Sequence, residues 1–329
     1  MLDPHRLFVG LGNVFGLAGV EVEVVVLRPK RAGEVRYLLQ KVSLGLAGLD
    51  PLGLVRLMVG RDPQDLFPRY DSQASDSIVL QARNFRTANT GGVDISLHRG
   101  EILGIGGLVG HGQDEFLLGL YGATPGQADE FFMPGEHGHA RTAPFASVMQ
   151  ANAAGLAYVP ADRKREALLL PHKIGFNLLL PLFARQLWRR RRRRQEGEIT
   201  SSLASRLGIR GDLRRPVQSL SGGNQQKVAL AKWLPLLPSV LLLNDPTRGV
   251  DVETKREIYL TLRARAAEGD AIVLLSSDTP ELVHLCDHVM VFHNGRVAAM
   301  LTHAHASEEA IVAAALGLPA PTRLAGAST

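Results

Sequence analysis

From residue 78 onward, short apolar runs that suit buried strands alternate with stretches that suit helices. This alternation limits the fold more than any other feature of the chain. Parallel strands need long crossover connections, so the pattern predicts an α/β domain with a mostly parallel sheet. Strands are expected at Ile78–Ala82, Ile95–Leu97, Ile102–Gly106, Gly155–Val159, Val240–Leu243, Ala271–Leu275 and Val289–Phe292. Asn294-Gly295 and then Arg296–Met300 follow the last of these. Asn-Gly supplies the two positive-φ residues of a type I′ turn, so the sheet should end in an antiparallel hairpin. Between Pro171 and Pro216 lies a helix-rich insertion, a helical subdomain of about 171–216.

The chain divides unevenly. Residues 1–54 carry no motif, although the partly alternating run Val20–Val26 suits a strand. Residues 55–75 read as a linker, with Arg61-Asp62-Pro63-Gln64-Asp65 and a Ser/Asp-rich stretch after Tyr70. The α/β domain occupies 76–320, and 321–329 form a tail.

Composition narrows the function classes. A single cysteine, Cys286, excludes an internal disulfide and a four-thiolate zinc site, and favours a reducing setting. The net charge is +5, but Arg189 to Arg194 are six consecutive arginines, so the rest of the chain sums to −1. The basic character is therefore local, and no nucleic-acid partner is expected. The run reads as a solvated helical face beside Glu196 and Glu198. The apolar stretch Leu7 to Val26 contains Asn13, Glu21 and Glu23, which disqualifies it as a membrane span. His137 and His139 sit in a Gly/Pro-rich loop without ligand spacing, and Cys286 reads as a packed residue rather than a nucleophile.

The sharpest local signal is Leu220-Ser221-Gly222-Gly223-Asn224-Gln225-Gln226-Lys227, followed at once by an apolar-periodic helix. A Gly-rich turn opening a helix presents free N–H groups and the positive end of a dipole to an anion. Further on, Val240-Leu241-Leu242-Leu243-Asn244-Asp245-Pro246-Thr247-Arg248-Gly249-Val250-Asp251 is an apolar strand ending in polar and acidic residues. The carboxyl ends of strands are where α/β sheets place ligands.

Together these segments resemble the signature motif, Walker B strand and D-loop of ABC-transporter ATPases. More narrowly, residues 55–325 resemble the second nucleotide-binding domain of the tandem ATP-binding subunits of monosaccharide importers. Arg56-Leu57-Met58-Val59-Gly60-Arg61 and Tyr158-Val159-Pro160-Ala161-Asp162-Arg163-Lys164 contribute to the likeness. The resemblance implies a P-loop NTPase fold of ABC type with a mostly parallel sheet, a helical subdomain and an antiparallel edge. It implies ATP and Mg²⁺ as cofactors, with Ser221, Gly222, Gly223, Gln225 and Asp251 as nucleotide contacts. The phosphate loop falls at Gly107-Leu108-Val109-Gly110-His111-Gly112-Gln113-Asp114. Against the pattern G-x-x-x-x-G-K-[ST], Gly107 and Gly112 fit, and Gly110 adds backbone freedom.

The chain departs from that pattern at several positions. Gln113 stands where a lysine would reach the phosphates, and Asp114 where a hydroxyl would meet Mg²⁺. Asp114 and Glu115 place two carboxylates in the first helical turn, where they oppose a triphosphate. Asn244 replaces the Walker B aspartate, which leaves Asp114 and Asn244 as a weak magnesium pair. Asp245, with Asn244 and Ser277 the expected catalytic set, replaces a glutamate with a shorter acid. Ala161 and Ser277 occupy the Q-loop and switch-histidine positions.

By resemblance the chain couples ATP binding and hydrolysis to monosaccharide uptake on the cytoplasmic face of a membrane. Its partners would be a second nucleotide-binding domain, as homo- or heterodimer, and permease subunits touching residues 160–190. An extracytoplasmic sugar-binding protein would be an indirect partner. The catalytically complete first domain of a tandem subunit is not expected in residues 1–50. The alternative reading is a non-hydrolysing half that supplies its signature motif to a partner's nucleotide. A third is a nucleic-acid-associated ABC protein without a permease, although such proteins resemble tandem chains with a charged inter-domain linker.

Overall fold

In a computed structural model, the chain is described over residues 21–29, 37–45, 66–135, 140–184, 193–206, 208–209 and 212–318. It separates into two units, 1–65 and 66–329. The first contains an antiparallel pair, β1 (Glu21–Pro29) and β2 (Tyr37–Gly45), in which Val24 faces Val42 across the ladder. β1 covers the run that suits a strand in the sequence; its partner has no comparable signal.

The second unit is built on a six-stranded sheet ordered β11-β10-β5-β9-β8-β7. Its strands are β5 (Ile102–Gly107), β7 (Leu156–Val159), β8 (Val240–Asn244), β9 (Ala271–Leu275), β10 (His288–His293) and β11 (Arg296–Thr302). β7, β8, β9, β5 and β10 pair in parallel, and β11 closes the edge antiparallel to β10. The hairpin turn carries Asn294 at φ 47° and Gly295 at φ 76°, the two left-handed residues that a type I′ turn requires. β8 and β9 are buried along their whole length, as central parallel strands covered on both faces must be. Successive side chains of a strand point to opposite faces, so β8 divides its apolar run between two cores. Leu241 and Leu243 pack with Ile272, Leu274 and the helices of one face. Val240 and Leu242 pack with Val273, Phe292 and Phe116 on the other.

A three-stranded antiparallel sheet, β4-β3-β6, lies over this second core. It comprises β3 (Ile78–Phe85), β4 (Val93–His98) and β6 (Glu130–Phe132). β6 has no counterpart among the expected strands, because three residues give no readable period. Between β5 and β7 run α1 (Gln113–Leu120) and α2 (Val148–Ala153). The helical insertion holds α3 (Ile174–Ala184) and α4 (Arg193–Arg206). Then follow α5 (Gly222–Ala231), α6 (Val252–Ala267), α7 (Thr279–Leu285) and α8 (Glu308–Ala315). Only 193–194 of the arginine run are described, as the opening of α4; 189–192, His137 and His139 lie outside the described residues.

From Leu66 onward the expected linker is packed against the domain. Phe67 stacks on Tyr259 at 5.0 Å and on His284 at 4.5 Å. Tyr70 stacks on His303 and donates its hydroxyl to Asp287 at 3.0 Å, with the Arg263 guanidinium 4.9 Å from its ring. Cys286 is fully buried, and burial pushes its thiol well above the usual range, as a packing residue requires.

Lys232 ends α5 in the interior. Its ammonium donates to the Ala167 carbonyl at 2.7 Å, and burial pulls its pKa from 10.5 down to about 8. Below pH 8 both folded and unfolded chains hold this proton, so its burial is a constant cost. Between pH 8 and 10.5 only the unfolded chain holds it, and folding stability rises with pH. Lys232→Met has no such proton. Wild type should therefore gain up to about 3 kcal/mol relative to Lys232→Met as pH climbs through that window. Denaturant unfolding of both proteins at pH 7, 8.5 and 10 measures it; a constant difference would mean that the lysine is not desolvated.

Candidate functional site

The strand ends converge on a polar cleft of about 530 Å³. Asp114 on α1, Tyr158 on β7, Asn244 on β8, and Ala161, Asp162 and Arg163 line it. The loop from β5 into α1 turns at Gly112, whose φ is +95°. A Cβ there would lie 2.8 Å from the Thr90 side chain and 3.0 Å from the Asn89 carbonyl, so only glycine fits. Gly107 and Gly110 also have positive φ, and space for an added Cβ at Gly110 is open. All three glycines of this loop thus take positive-φ conformations that leave its backbone exposed to a close approach.

Its side chains are turned to one another. Gln113 is buried, and its Nε2 donates to the Leu108 carbonyl of its own loop at 2.8 Å. Its Oε1 is buried without a partner among the described residues. Asp114 Oδ1 accepts from Asn244 Nδ2 at 2.9 Å, and the same amide lies 3.4 Å from the Tyr158 hydroxyl. Burial, with the charges of Glu166 and Asp114, raises the Tyr158 pKa. Glu115 accepts from Asn89 Nδ2 at 3.2 Å. Both acids of the first helical turn are thus held by asparagine amides. The residues fit the main-chain half of a phosphate site. They do not offer the cation or hydroxyl of a complete one, since Asp114 and Asn244 are engaged with each other.

Asp245 leaves β8 at φ 42°, a left-handed conformation that costs a non-glycine residue on the order of 1 kcal/mol or more. The turn aims its carboxylate at the loop after β9, where Oδ1 accepts from Ser277 N at 2.7 Å and Ser277 Oγ at 3.0 Å. The expected catalytic acid and switch residue are therefore in contact, outside the lining of the cleft.

The signature turn lies on the far side of Arg163, which borders both it and the cleft. Ser221 caps α5, its Oγ accepting from Asn224 N and Nδ2. No acid stands in the first turn of α5. A Cβ on Gly223 would collide with the Thr254 hydroxyl, so the signature turn and α6 touch through a missing side chain. Asp251 holds that threonine, accepting from Thr254 N at 2.9 Å and Thr254 Oγ1 at 3.0 Å. Of the expected nucleotide contacts, Asp251 is engaged as a helix cap. Gln225 is buried, with Nε2 donating to the Leu220 carbonyl at 3.1 Å.

Beneath both faces lies a network that the sequence does not announce. Glu281 of α7 is fully buried; its Oε1 accepts from the Tyr259 hydroxyl at 2.6 Å, from Lys255 Nζ at 3.3 Å and from Thr247 Oγ1. Its Oε2 accepts from Ser276 Oγ at 2.7 Å. Burial and the Glu281 charge raise the Tyr259 pKa far above its usual range. Burial opposes the charge on Lys255, yet Asp278 and Glu281 outweigh it and raise the Lys255 pKa.

A family profile described as ABC transporter matches residues 90–248. The ribose import ATP-binding protein RbsA 2 of Rubrobacter xylanophilus is 38% identical over 279 residues, 84% of this chain and 53% of that protein. The ribose import ATP-binding protein RbsA of Bacillus cereus is 35% identical over 274 residues, 80% of this chain and 53% of its own length. The chain thus spans about half the length of the curated relatives it matches. Among solved structures, the ADP conformation of MJ1267, an ATP-binding cassette of an ABC transporter, superposes with a TM-score of 0.59 at 18% identity. That match covers 71% of this chain and 95% of that one. The cbiO1 protein of Clostridium perfringens, part of a cbiONQ transporter complex, gives 0.57 at 18% identity, over 72% and 93% of the two chains. At these identities the structural likeness speaks for the fold.

Gln113→Lys combined with Asp114→Ser adds a cation to the phosphate cradle and removes an anion. Calorimetric titration with MgATP should show this double variant binding at least about tenfold tighter than wild type, a gain of ~1.4 kcal/mol. Equal affinity would mean that the cradle is not where the nucleotide binds.

Proposed function

The chain belongs to the ABC transporter ATP-binding family, and on that premise we propose that it serves as an ATP-binding subunit of a monosaccharide importer. The relatives named for ribose import support the substrate class. One observation carries the assignment of the working surface. The signature turn at Ser221–Gly223 is capped, free of acids and seated directly on the D-loop helix through Gly223 and Thr254. Such a surface suits the phosphates of a nucleotide held by a second ATP-binding domain.

ATP and Mg²⁺ are the cofactors of this reading, and ATP supplies the phosphoanhydride whose hydrolysis drives the cycle. On this chain's own side the backbone of Gly107–Gly112 would hold phosphate, and Asp114 and Asn244, now bonded to each other, are the residues that would have to turn to Mg²⁺. Ser277 orients the Asp245 carboxylate toward its loop. Permease subunits would meet the region 160–190, and an extracytoplasmic sugar-binding protein would deliver the substrate. None of the described helices is long and apolar enough to cross a membrane; this reading puts the chain on the cytoplasmic face as a peripheral subunit. The inward-turned Gln113 favours a second, asymmetric reading, in which the chain lends its signature face to a partner's nucleotide and hydrolyses little at its own loop.

A matched pair of variants tests both readings. In the assembled transporter, Gly222→Asp puts an anion at the start of α5 and should reduce sugar uptake and phosphate release by about 100-fold or more. Asp245→Ala should cost less than about tenfold if the chain's own loop contributes little. Equal losses would make this loop catalytic, and normal uptake with Gly222→Asp would overturn the importer role of the signature face.

A further inference from the structure

We propose that Arg163 is an additional phosphate ligand, presented by this chain to the nucleotide that closes against its signature turn. The inference rests on the ATP-binding reading above and adds a side chain to a surface otherwise made of backbone. Asp162 fixes where Arg163 leaves the chain. Its Oδ1 accepts from Lys164 N at 3.1 Å and Arg165 N at 3.2 Å, opening a single π-helical turn, Arg163–Ala167. The guanidinium then reaches across to the D-loop. One terminal nitrogen donates to the Arg248 carbonyl at 2.9 Å and the other to the Gly249 carbonyl at 3.3 Å.

These two bonds leave most of the group unsatisfied. A guanidinium has five N–H donors, and Nε of Arg163 is buried without an acceptor among the described residues. Both acceptors it does have are neutral carbonyls. Burial lowers its pKa, with only the charge of Asp162 acting the other way. Oδ1 of Asp162 is taken by the two backbone amides, and among the described residues no hydrogen bond joins its carboxylate to the guanidinium. The cation is therefore partly desolvated and poorly balanced, an arrangement that an incoming anion would relieve.

Its position says which anion. A Cβ built on Gly222 would lie 2.8 Å from the second terminal nitrogen and 3.4 Å from the Gly249 carbonyl. Arg163 thus stands over the first residue of α5, between the signature turn and the D-loop. The amides of the α5 start and the guanidinium face the same space, and both favour negative charge. A planar fork beside a helix end suits a phosphate better than a lone carboxylate, because it can donate two parallel bonds while the helix supplies others. The ligand chemistry is that of a nucleoside triphosphate's terminal phosphate. The glycine at 222 gains a second reason: any side chain there would displace the arginine.

The test compares wild type, Arg163→Gln, Arg163→Lys and, as a control outside the region assigned to the permease, the exposed Arg214→Gln in the purified transporter complex containing this chain. Steady-state hydrolysis of MgATP gives KM and kcat, and a non-hydrolysable ATP analogue gives Kd. Arg163→Gln should raise KM and Kd about tenfold and Arg163→Lys about threefold, with Arg214→Gln within twofold of wild type. If Arg163→Gln does not fold, Arg163→Lys decides: loss of analogue affinity supports the assignment and unchanged affinity overturns it. A fall in kcat at constant KM and Kd would make Arg163 only a clamp on the D-loop, and would also overturn it. Wild type that neither binds the analogue nor hydrolyses MgATP would overturn the ATP-binding reading itself, and this assignment with it.

Discussion

The buried carboxylate of Glu281 is the constraint on which the rest of the domain depends. A charged carboxylate without solvent is tolerable only when its lone pairs are taken up by donors. Here a tyrosine, a lysine, a threonine and a serine supply them, from three separate stretches of chain. Thr247 belongs to the D-loop, Ser276 to the end of β9, and Lys255 and Tyr259 to α6. The loop carrying Asp245 and the loop carrying Ser277 are therefore anchored to a common point one layer below the surface. Leaving such a group with a partner missing costs about 3–5 kcal/mol, so the loops are not free to drift apart. The aromatic strap of Phe67 stacks on the same Tyr259, which extends the anchor to the segment leading into the domain.

Charge is distributed unevenly between the two phosphate-facing surfaces. At the phosphate loop, the acids Asp114 and Glu115 would compete with a triphosphate, and two asparagines hold them instead. At the signature turn there is no acid in the first helical turn, and a partly buried arginine lies alongside. The two ends of one ATP-binding domain thus differ in sign. A nucleotide shared between two such domains would meet its attractive electrostatics chiefly on the signature side.

Much of the fold was legible because its signals are local. β8 and β9 are uninterrupted apolar runs, and Asn294-Gly295 encodes its turn in two residues. Glycines at 107, 110 and 112 mark a loop that needs positive φ. What escaped is non-local. β6 is three residues long and exists by pairing with β3. Glu281 reads as an ordinary polar residue on a short helix, since nothing near it in sequence names Thr247 or Tyr259 as partners. The site shows the same division. Asp245 and Ser277 stand out by motif position, whereas their contact, the inward fold of Gln113 and the reach of Arg163 to the D-loop depend on side-chain directions that no spacing encodes. Gln225 and Asp251 lie where the motif puts them, but their polar groups serve the backbone of their own turns.

The contact at Gly223 has a steric consequence. With no Cβ between them, the start of α5 lies directly against the side chain of the threonine that Asp251 holds. Any side chain at 223 would have to push that threonine off its cap, so the glycine keeps two stretches of chain about thirty residues apart within one packed contact.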